Sequence, residues 1–189
     1  MNQFTVLYDA CVLYPAPLRD LLMHPALTDL FRAKWTDAIH DEWMRNVLKD
    51  CPDLTPAQLQ RTRELMNAHV RDCLVTGYED LISALTLPDP NDRHVLAAAI
   101  RAGVDVLLTF NLDDFPADVL GKYGIEALHP DDFLTSQLEL APHLVCTAAK
   151  RQRESLKNPP LTVEQYLASL ERQGLAQTVS ALRQFAHLI

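Results

Sequence analysis

The sequence predicts an α/β protein with a mostly parallel central sheet. Short apolar segments rich in β-forming residues alternate with longer segments that have the apolar spacing of amphipathic helices. The first predicted strand is residues 4–8, FTVLY, and a similar segment, VDVLLTF, occupies residues 104–110. Mainly apolar strands of this kind are typical of a parallel sheet that helices cover on both faces.

A helix, a short strand and a second helix are predicted after the first strand. The first helix is predicted to run from Pro15 to about residue 33, with an interruption near Pro25. Residues 34–37 are predicted to form the short strand, and Asp37 to cap the next helix. That helix has one apolar face, formed by Ile39, Trp43, Val47 and Leu48.

A further helix is predicted to start at Thr55-Pro56 and to run to about residue 73. Its inward-facing residues are predicted to be Leu59, Leu65, Met66 and Val70. Residues 77–87 are predicted to be a loop, with or without a short strand.

Residues 87–115, LPDPNDRHVLAAAIRAGVDVLLTFNLDDF, contain five acidic residues. Asn91 or Asp92 is the predicted N-cap of a helix that ends at Gly103. The apolar stripe of this helix is Val95, Leu96, Ala99 and Ile100. The strand that follows this helix is in turn followed by polar residues. Acidic residues therefore stand both at the start of the helix and after the end of the strand.

The rest of the chain is predicted to be mainly helical. A last strand is predicted at residues 124–128, and HPDDF at residues 129–133 is predicted to cap another helix. Beyond it, the helical pattern breaks at Pro142, at residues 158–160 and at Gly174. Thr162 and Gln165 have the spacing of a capping box. We therefore predict a body, residues 1–133, and a helical C-terminal extension, residues 134–189, that docks on it.

Composition and charge narrow the class of protein. The net charge of −8 argues against broad electrostatic binding of nucleic acid. The four cysteines are too widely spaced for a zinc ribbon or a disulfide framework. No apolar run approaches the roughly 20 residues of a membrane helix, and the N-terminus has no secretory signal, so we expect a cytoplasmic protein without membrane contact. The extension is more basic than the body, and four of its positive charges are Lys150, Arg151, Arg153 and Lys157.

Several acids occupy positions that a parallel sheet could bring to one edge, where ligands bind in such folds. Asp9 follows the first strand, Glu42 lies one turn into an early helix, and Asp92 opens the central helix. Asn111, Asp113 and Asp114 follow the next strand. Arg45 and Asn46, three and four residues after Glu42, are placed to orient its carboxylate. Taken alone, each acid also fits a helix cap or a solvated surface position, so the prediction depends on the set.

A cluster of carboxylates needs cations, because like charges repel. Oxygen ligands without histidine or cysteine select Mg²⁺ or Mn²⁺. Such ions bind a phosphate and lower the pKa of a water molecule. The set of acids therefore predicts phosphodiester hydrolysis.

Three segments resemble the PIN-domain nucleases: VLYDACVLYP, IHDEWMRNV and, most specifically, LPDPNDRHVLAAAIRAGVDVLLTFNLDDFP. The resemblance covers about residues 3–133. The tail segment KRQRESLKNPPLTVEQYLASLERQGL is similar to the C-terminal extension of one VapC-like subgroup. The resemblance implies a PIN-like α/β/α sandwich and a Mg²⁺- or Mn²⁺-dependent endoribonuclease, typically the toxin of a toxin–antitoxin pair.

The resemblance also implies a role for each residue of the site. The family's first Asp, its Glu and its helix-opening Asp fall on Asp9, Glu42 and Asp92. Its fourth polar position falls on Asn111, where many members have Asp, and the acid of its N-x-x-D-F pattern falls on Asp114. The predicted catalytic residues are therefore Asp9, Glu42, Asp92 and Asp114, and the predicted metal ligands are Asp9, Glu42, Asp92 and Asn111. Supporting positions are Asp89, Thr109, Asp113 and Asn46, and the predicted RNA contacts are Lys150, Arg151, Arg153 and Lys157.

The expected partners are an RNA substrate, either tRNA or another structured RNA, a cognate antitoxin and a second copy of the chain. One alternative is a phosphatase with Asp9 as its nucleophile. That class has a second Asp two residues later, where this chain has Cys11. The other alternative is a non-catalytic RNA- or antitoxin-binding module, whose interactions would be indifferent to Asp9→Asn.

Overall fold

A computed structural model describes residues 4–27 and 30–189 of the protein. It contains a sheet of four strands in the order β2-β1-β3-β4, and every neighbouring pair is parallel. The strands are β1 (Thr5–Tyr8), β2 (Arg32–Lys34), β3 (Val106–Leu108) and β4 (Glu126–Leu128). The predicted α/β class with a parallel sheet, as in a PIN-like fold, is confirmed.

Helices make up most of the remaining described chain. The α-helices are α1 (Ala10–Leu13), α2 (Ala16–Leu27), α3 (Asp37–Asp50), α4 (Pro56–His69), α5 (Glu79–Ile82), α6 (Arg93–Ala102), α7 (Ala117–Leu120), α8 (Pro130–Leu140), α9 (Pro142–Ser155), α10 (Val163–Glu171) and α11 (Ala176–Arg183). Short 3₁₀ helices are formed by Pro90–Asp92, Leu112–Asp114, Gly121–Tyr123 and Ala186–Leu188.

The strand register brings the ends of β1 and β3 to the same edge of the sheet. Tyr8 pairs with Leu108. Beyond this pair, the backbone N–H of Asp9 donates to the carbonyl oxygen of Leu108 at 3.0 Å, and the N–H of Thr109 donates to that of Leu128 at 3.1 Å. The first residues after the two central strands, Asp9 and Thr109, are therefore placed side by side.

The predicted boundaries around β2 are wrong by several residues. Helix α2 ends at Leu27 and contains Pro25 without interruption, whereas the prediction extended it to about residue 33; residues 28 and 29 lie outside the described range. Ala33 pairs with Val6 in the sheet and is 1% exposed, so its sheet position overrides its helical propensity. Strand β2 accordingly starts two residues before the predicted 34–37.

The caps of α3 and α4 are both threonines. Thr36, and not the predicted Asp37, caps α3, because its hydroxyl oxygen accepts the N–H of Ile39 at 3.0 Å. Thr55 caps α4 in a capping box with Gln58. The predicted apolar face of α3 is confirmed, with Ile39, Trp43 and Val47 buried.

Helix α4 ends at His69, four residues before the predicted end. Residues 73–75 instead run beside the sheet, where Val75 donates to the carbonyl oxygen of Trp35 at 2.9 Å. Leu65, predicted to face inward, is 41% exposed, so that prediction is wrong. The predicted loop at residues 77–87 holds α5 instead of a strand.

The C-terminal extension docks on the body, as expected. Helix α9 packs against α2 and α8. The buried side chain of Gln152 donates from Nε2 to the carbonyl oxygen of Pro17 at 2.7 Å and accepts from the hydroxyl of Tyr166 at 2.7 Å. The predicted capping box of Thr162 and Gln165 opens α10.

Helix α8 runs through the predicted boundary between residues 133 and 134. The division of the chain at that point remains a prediction. Among the described residues, no helix is long and apolar enough to cross a lipid bilayer.

Candidate active site

Asp9 is buried at the end of β1 and accepts three hydrogen bonds. Its Oδ1 accepts the N–H of Ala10 at 2.6 Å, where it caps α1. Its Oδ2 accepts the hydroxyl of Thr109 at 2.7 Å and the thiol of Cys11 at 3.1 Å. Only 4% of Asp9 is exposed, so these bonds fix the orientation of a carboxylate that has little room to move.

Thr109 links Asp9 to the segment after β3. The residue is fully buried, so its hydroxyl does not meet a phosphate directly. The hydroxyl donates to Asp9 and accepts the backbone N–H of Asn111 at 3.0 Å. The backbone that carries Asn111 is thereby tied to the Asp9 carboxylate.

Cys11 is a contact of Asp9 that the sequence analysis did not identify. Its sulfur donates to Asp9 and accepts the N–H of Phe110 at 3.3 Å. Burial, and then the charge of Asp9, raise the pKa of the Cys11 thiol to about 12. The thiol therefore stays protonated and supports Asp9 as a donor; it is not a thiolate nucleophile.

The side chain of Asp92 does not cap α6, although the residue precedes that helix. The capping bond nearby belongs to Asp89, whose Oδ1 accepts the N–H of Asn91 at 2.8 Å and starts the 3₁₀ helix Pro90–Asp92. Gly103 ends α6 in the left-handed region, with φ 58°, as predicted. The Asp92 carboxylate is therefore left available for the site.

The carboxylate of Asp92 is repelled by the negative charges of several other acids. Partial burial of its carboxyl is the largest cause that raises its pKa, which reaches about 7. Charge repulsion adds to the effect of burial, and it comes from Asp9, Asp89, Asp114 and Glu42. Acids from four separate parts of the chain thus converge on Asp92.

The pKa of Asp9 is raised as well. Burial is the main cause, and the three hydrogen bonds to the carboxylate lower the pKa again. The charge of Glu42 adds to the rise, which places Glu42 within electrostatic reach of Asp9.

Glu42 lies close to His94 and is not joined to the residues predicted to orient it. Its Oε2 lies 3.4 Å from Nε2 of His94. Within the described residues, no hydrogen bond or ion pair joins Glu42 to Arg45 or Asn46. His94 was missed because it is 52 residues from Glu42, and nothing in the sequence pairs them.

The remaining predicted positions are spread around the site. Asp114 and Asn111 lie in and just before the 3₁₀ helix Leu112–Asp114. Asp113, in the same helix, is exposed and makes no hydrogen bond or ion pair in the part of the chain that the structure describes. The structure thus brings five predicted acids together and leaves Asp113 outside the group: Asp9, Glu42, Asp89, Asp92 and Asp114.

An open cavity of about 470 Å³ adjoins these acids. It lies between the end of α1, one side of α3 and the segment after β3. Its lining includes Tyr14, Glu42, Asn46, Lys49, Asp50 and Asn111. Because Glu42 belongs to both, the cavity and the acids form one continuous surface.

The donor chemistry of the acids fits a hard divalent cation. The strongest charge effects on Asp92 all come from acids, so a cation there would relieve repulsion. Carboxylates and the amide oxygen of Asn111 are the ligand types that Mg²⁺ and Mn²⁺ prefer. In residues 4–27 and 30–189, however, no three His, Cys, Asp or Glu side chains already stand at the spacing of a preformed metal site.

The four basic residues predicted as RNA contacts have different surroundings. Lys150, Arg151 and Lys157 are exposed. Arg153 is partly buried and donates from a terminal nitrogen to the carbonyl oxygen of Leu161 at 3.1 Å, a bond within the extension itself. Arg153 therefore serves the packing of the extension, and contact of the other three with RNA remains a prediction.

Comparisons with known proteins find two matches to this chain. Residues 130–184 match the family described as the VapC50 C-terminal domain. Over 109 residues the chain is 41% identical to "Putative ribonuclease VapC50" of Mycobacterium tuberculosis (strain ATCC 25618 / H37Rv). That match covers 58% of this chain and 64% of the relative. No solved structure matches the chain.

The family match covers the extension, and the parallel sheet with acids at the ends of its strands is the architecture that the resemblance predicted. The chain is thus similar to a VapC-like protein, and its residues 130–184 match a C-terminal region of the VapC50 type.

Proposed function

We propose that the protein is a Mg²⁺- or Mn²⁺-dependent endoribonuclease that hydrolyses RNA phosphodiester bonds. The observation that carries the proposal is the convergence of four other acids on Asp92, whose repulsion adds to burial in raising the pKa of Asp92 to about 7. A cluster of unneutralised carboxylates is costly to hold together without a cation. The relative named a ribonuclease supports the same activity.

Asp9, Asp92 and Glu42, with Asn111, are the residues that would hold the metal. When bound, the metal would supply positive charge for the phosphate and lower the pKa of a water molecule. Asp9 is fixed by three hydrogen bonds, so it presents a rigid ligand position. Asp92 and Asp114, which are partly exposed, can adjust toward it.

Glu42 is placed to orient the attacking water. About a third of its side chain is exposed, and one of its oxygens lies 3.4 Å from Nε2 of His94. The other oxygen is free to accept a hydrogen bond from water in the adjoining cavity. Attack by this water would leave a 5′-phosphate and a 3′-hydroxyl on the products.

The geometry of Asp9 argues against the phosphatase alternative. A nucleophilic carboxylate must reach its phosphate, but Asp9 is 4% exposed and both of its oxygens accept hydrogen bonds. Cys11 occupies the position of the second acid in that class and donates to Asp9. These contacts favour a ligand role for Asp9 over a nucleophilic one.

A cognate antitoxin and a homodimer belong to the same proposal. The VapC name of the relative supports a toxin that a partner protein holds inactive. A second copy of the chain also carries a net charge of −8, so only the basic side chains of its extension could add cations beside the acidic body.

The proposal is tested by incubation of the purified protein with total RNA in Mg²⁺ or Mn²⁺, and then with EDTA. Asp9→Asn and Asp92→Asn remove one charge each, and Asp118→Asn, at an exposed acid of α7, is the matched control. We expect discrete fragments with the wild type and the control, and none with EDTA or with either site variant. Equal cleavage by all four proteins, or undiminished cleavage in EDTA, would contradict the proposal. Absence of cleavage by the folded wild type with metal would favour the binding-module alternative.

A further inference from the structure

The cavity beside the acids has the size and position of a ligand site. Its volume of about 470 Å³ falls within the range of about 300–1,000 Å³ that small-molecule sites occupy. It shares Glu42 with the acid group, so a group bound in it lies next to the carboxylates. The hydrolysis proposed above uses only the place of the water beside Glu42, so it does not require the rest of this space.

Two exposed amide side chains give the cavity its hydrogen-bonding chemistry. Within the described residues, the amides of Asn46 and Asn111 make no hydrogen bond. An amide presents two N–H donors and one acceptor oxygen. This combination matches the edges of nucleobases, which also pair donors with acceptors.

Tyr14 supplies an aromatic wall with a fixed orientation. Its hydroxyl donates to Oδ2 of Asp50 at 2.8 Å, and this bond spans the cavity lining from the end of α1 to the end of α3. Unpaired bases bind proteins by stacking on aromatic rings held in this way. The bond to Asp50 preorganises the ring before any ligand arrives.

The charges of the lining favour a neutral group inside the cavity. Glu42 and Asp50 are acidic, and Lys49 is the one basic residue of the lining. Lys49 makes no ion pair in the described part of the chain, so it is free to meet a phosphate at the rim. A phosphate inside the cavity would be repelled, whereas a base would not.

We propose that this cavity binds the base of one unpaired nucleotide, adjacent to the phosphodiester bond that the protein cleaves. In this arrangement Tyr14 stacks on the base, Asn46 and Asn111 contact its edge, and Lys49 contacts a neighbouring phosphate. The proposal rests on the proposed ribonuclease function for the identity of the ligand as RNA. It restricts the substrate to RNA segments whose target nucleotide is unstacked, such as loops, because a base within a helix cannot enter a cavity.

The test uses neutral probes that need neither metal nor cleavage. Adenosine, guanosine, cytidine, uridine and ribose are titrated into the ¹⁵N-labelled full-length protein, and amide chemical shifts report affinity and position. We expect at least one nucleoside to bind about 5-fold or more tightly than ribose, the lower end of the effect of base stacking. The shifts should centre on Tyr14, Asn46 and Lys49.

Variants separate the base contacts from general effects. Tyr14→Ala should abolish the preference for a nucleoside over ribose, and Tyr14→Phe should retain most of it, because the ring remains. Asn46→Ala, at an exposed position that folding does not depend on, should weaken binding and reduce discrimination among the four nucleosides. Tyr123→Ala is the matched control, since Tyr123 is 45% exposed and does not line the cavity.

The outcomes distinguish this proposal from the ribonuclease proposal. Equal binding of ribose and all nucleosides, or a preference that survives both Tyr14→Ala and Asn46→Ala, would overturn the base site even if the protein cleaves RNA. Nucleoside binding at these residues by a protein that never cleaves RNA would support the base site and contradict only the catalytic proposal.

Discussion

The hydroxyl of Thr109 is the link that holds Asp9 and the Asn111 segment in one arrangement. It donates to Asp9 at 2.7 Å in a buried bond and accepts the N–H of Asn111 at 3.0 Å in a partly buried one. Loss of the hydroxyl leaves a buried carboxylate short of one donor and a backbone N–H without its acceptor. Such unsatisfied groups cost about 1–3 kcal/mol each.

Thr109→Val, which keeps the shape and removes the hydroxyl, should lower the free energy of unfolding by about 1–3 kcal/mol and reduce the rate of RNA cleavage. Urea denaturation and a cleavage assay measure the two effects. Thr109→Ser retains the hydroxyl and should preserve most of both quantities. A valine variant as stable and active as the wild type would mean that this link has no role.

His40 is a second buried polar residue whose hydrogen bonds determine its charge. Its Nδ1 accepts the indole N–H of Trp43 at 3.0 Å, so its proton lies on Nε2, which donates to Asn67 at 3.0 Å. Burial is the main cause that lowers the pKa of His40 below its usual 6.5. Protonation of Nδ1 would bring its N–H against the indole N–H of Trp43, and two donors cannot form a hydrogen bond with each other.

The free energy of unfolding should therefore depend on pH through His40. Below about pH 6.5 the unfolded chain binds a proton that the folded protein excludes, so stability is full above that pH and falls as the pH drops toward the lowered folded pKa. The slope contributed by this residue approaches about 1.4 kcal/mol per pH unit. Urea titrations from pH 7.5 to 5.5 should show a flatter dependence for His40→Gln than for the wild type. An identical slope in both proteins would contradict this assignment.

At the scale of elements, Asp131 joins the start of α8 to the start of α11. Its carboxylate accepts the N–H of Thr178 at 2.8 Å, the hydroxyl of Thr178 at 2.7 Å and the N–H of Gln177 at 2.9 Å. The residue is 5% exposed. One side chain of α8 thus accepts hydrogen bonds from backbone N–H groups in the first turn of α11, which have no partner within their own helix.

Asp131→Ala should lower the free energy of unfolding by about 2–3 kcal/mol, because charge-assisted bonds to buried donors are lost. Asp132→Ala is the control. Its carboxylate accepts one exposed bond from Gln177, so its loss should cost no more than about 0.5 kcal/mol. Equal losses in the two variants, measured by thermal or urea denaturation, would show that the cap is unimportant.

The helices and strands also show which structural features can be predicted from the sequence. Continuous apolar runs identified β1 and β3, and Gly103 marked the end of α6, because these signals are local. The contacts that hold the acids are not local. Thr109 is 100 residues from Asp9, and His94 is 52 residues from Glu42. Only the folded chain brings Glu42 and His94 together, so His94 could not be assigned from spacing, whereas Cys11 is a local contact two residues from Asp9.

At the scale of the whole molecule, the extension completes the core of the body. Helix α9 packs on α2, and the buried Gln152 bonds to both Pro17 and Tyr166. Leu134, Val145 and Ala149 of the extension are fully buried. Residues 1–133 alone would expose apolar surface that the extension covers.

A chain truncated after residue 133 should accordingly lose cooperative unfolding, as measured by circular dichroism during heating. In the full chain, Gln152→Ala should cost about 1–3 kcal/mol, because the buried hydroxyl of Tyr166 and the partly buried carbonyl of Pro17 lose their partner. A truncated chain that unfolds with the same midpoint as the full protein would show instead that residues 1–133 form an independent domain.

The dependence of RNA cleavage on Mn²⁺ concentration tests the central claim most directly, because the claim is that the converging acids act by holding a divalent cation. The rate on one defined RNA is measured for the wild type, Asp92→Asn and Asp118→Asn. We expect no cleavage without metal, saturation with Mn²⁺ for the wild type and Asp118→Asn, and for Asp92→Asn either no cleavage or saturation only at a much higher concentration. Cleavage that is independent of Mn²⁺, or the same Mn²⁺ dependence in all three proteins, would contradict the account.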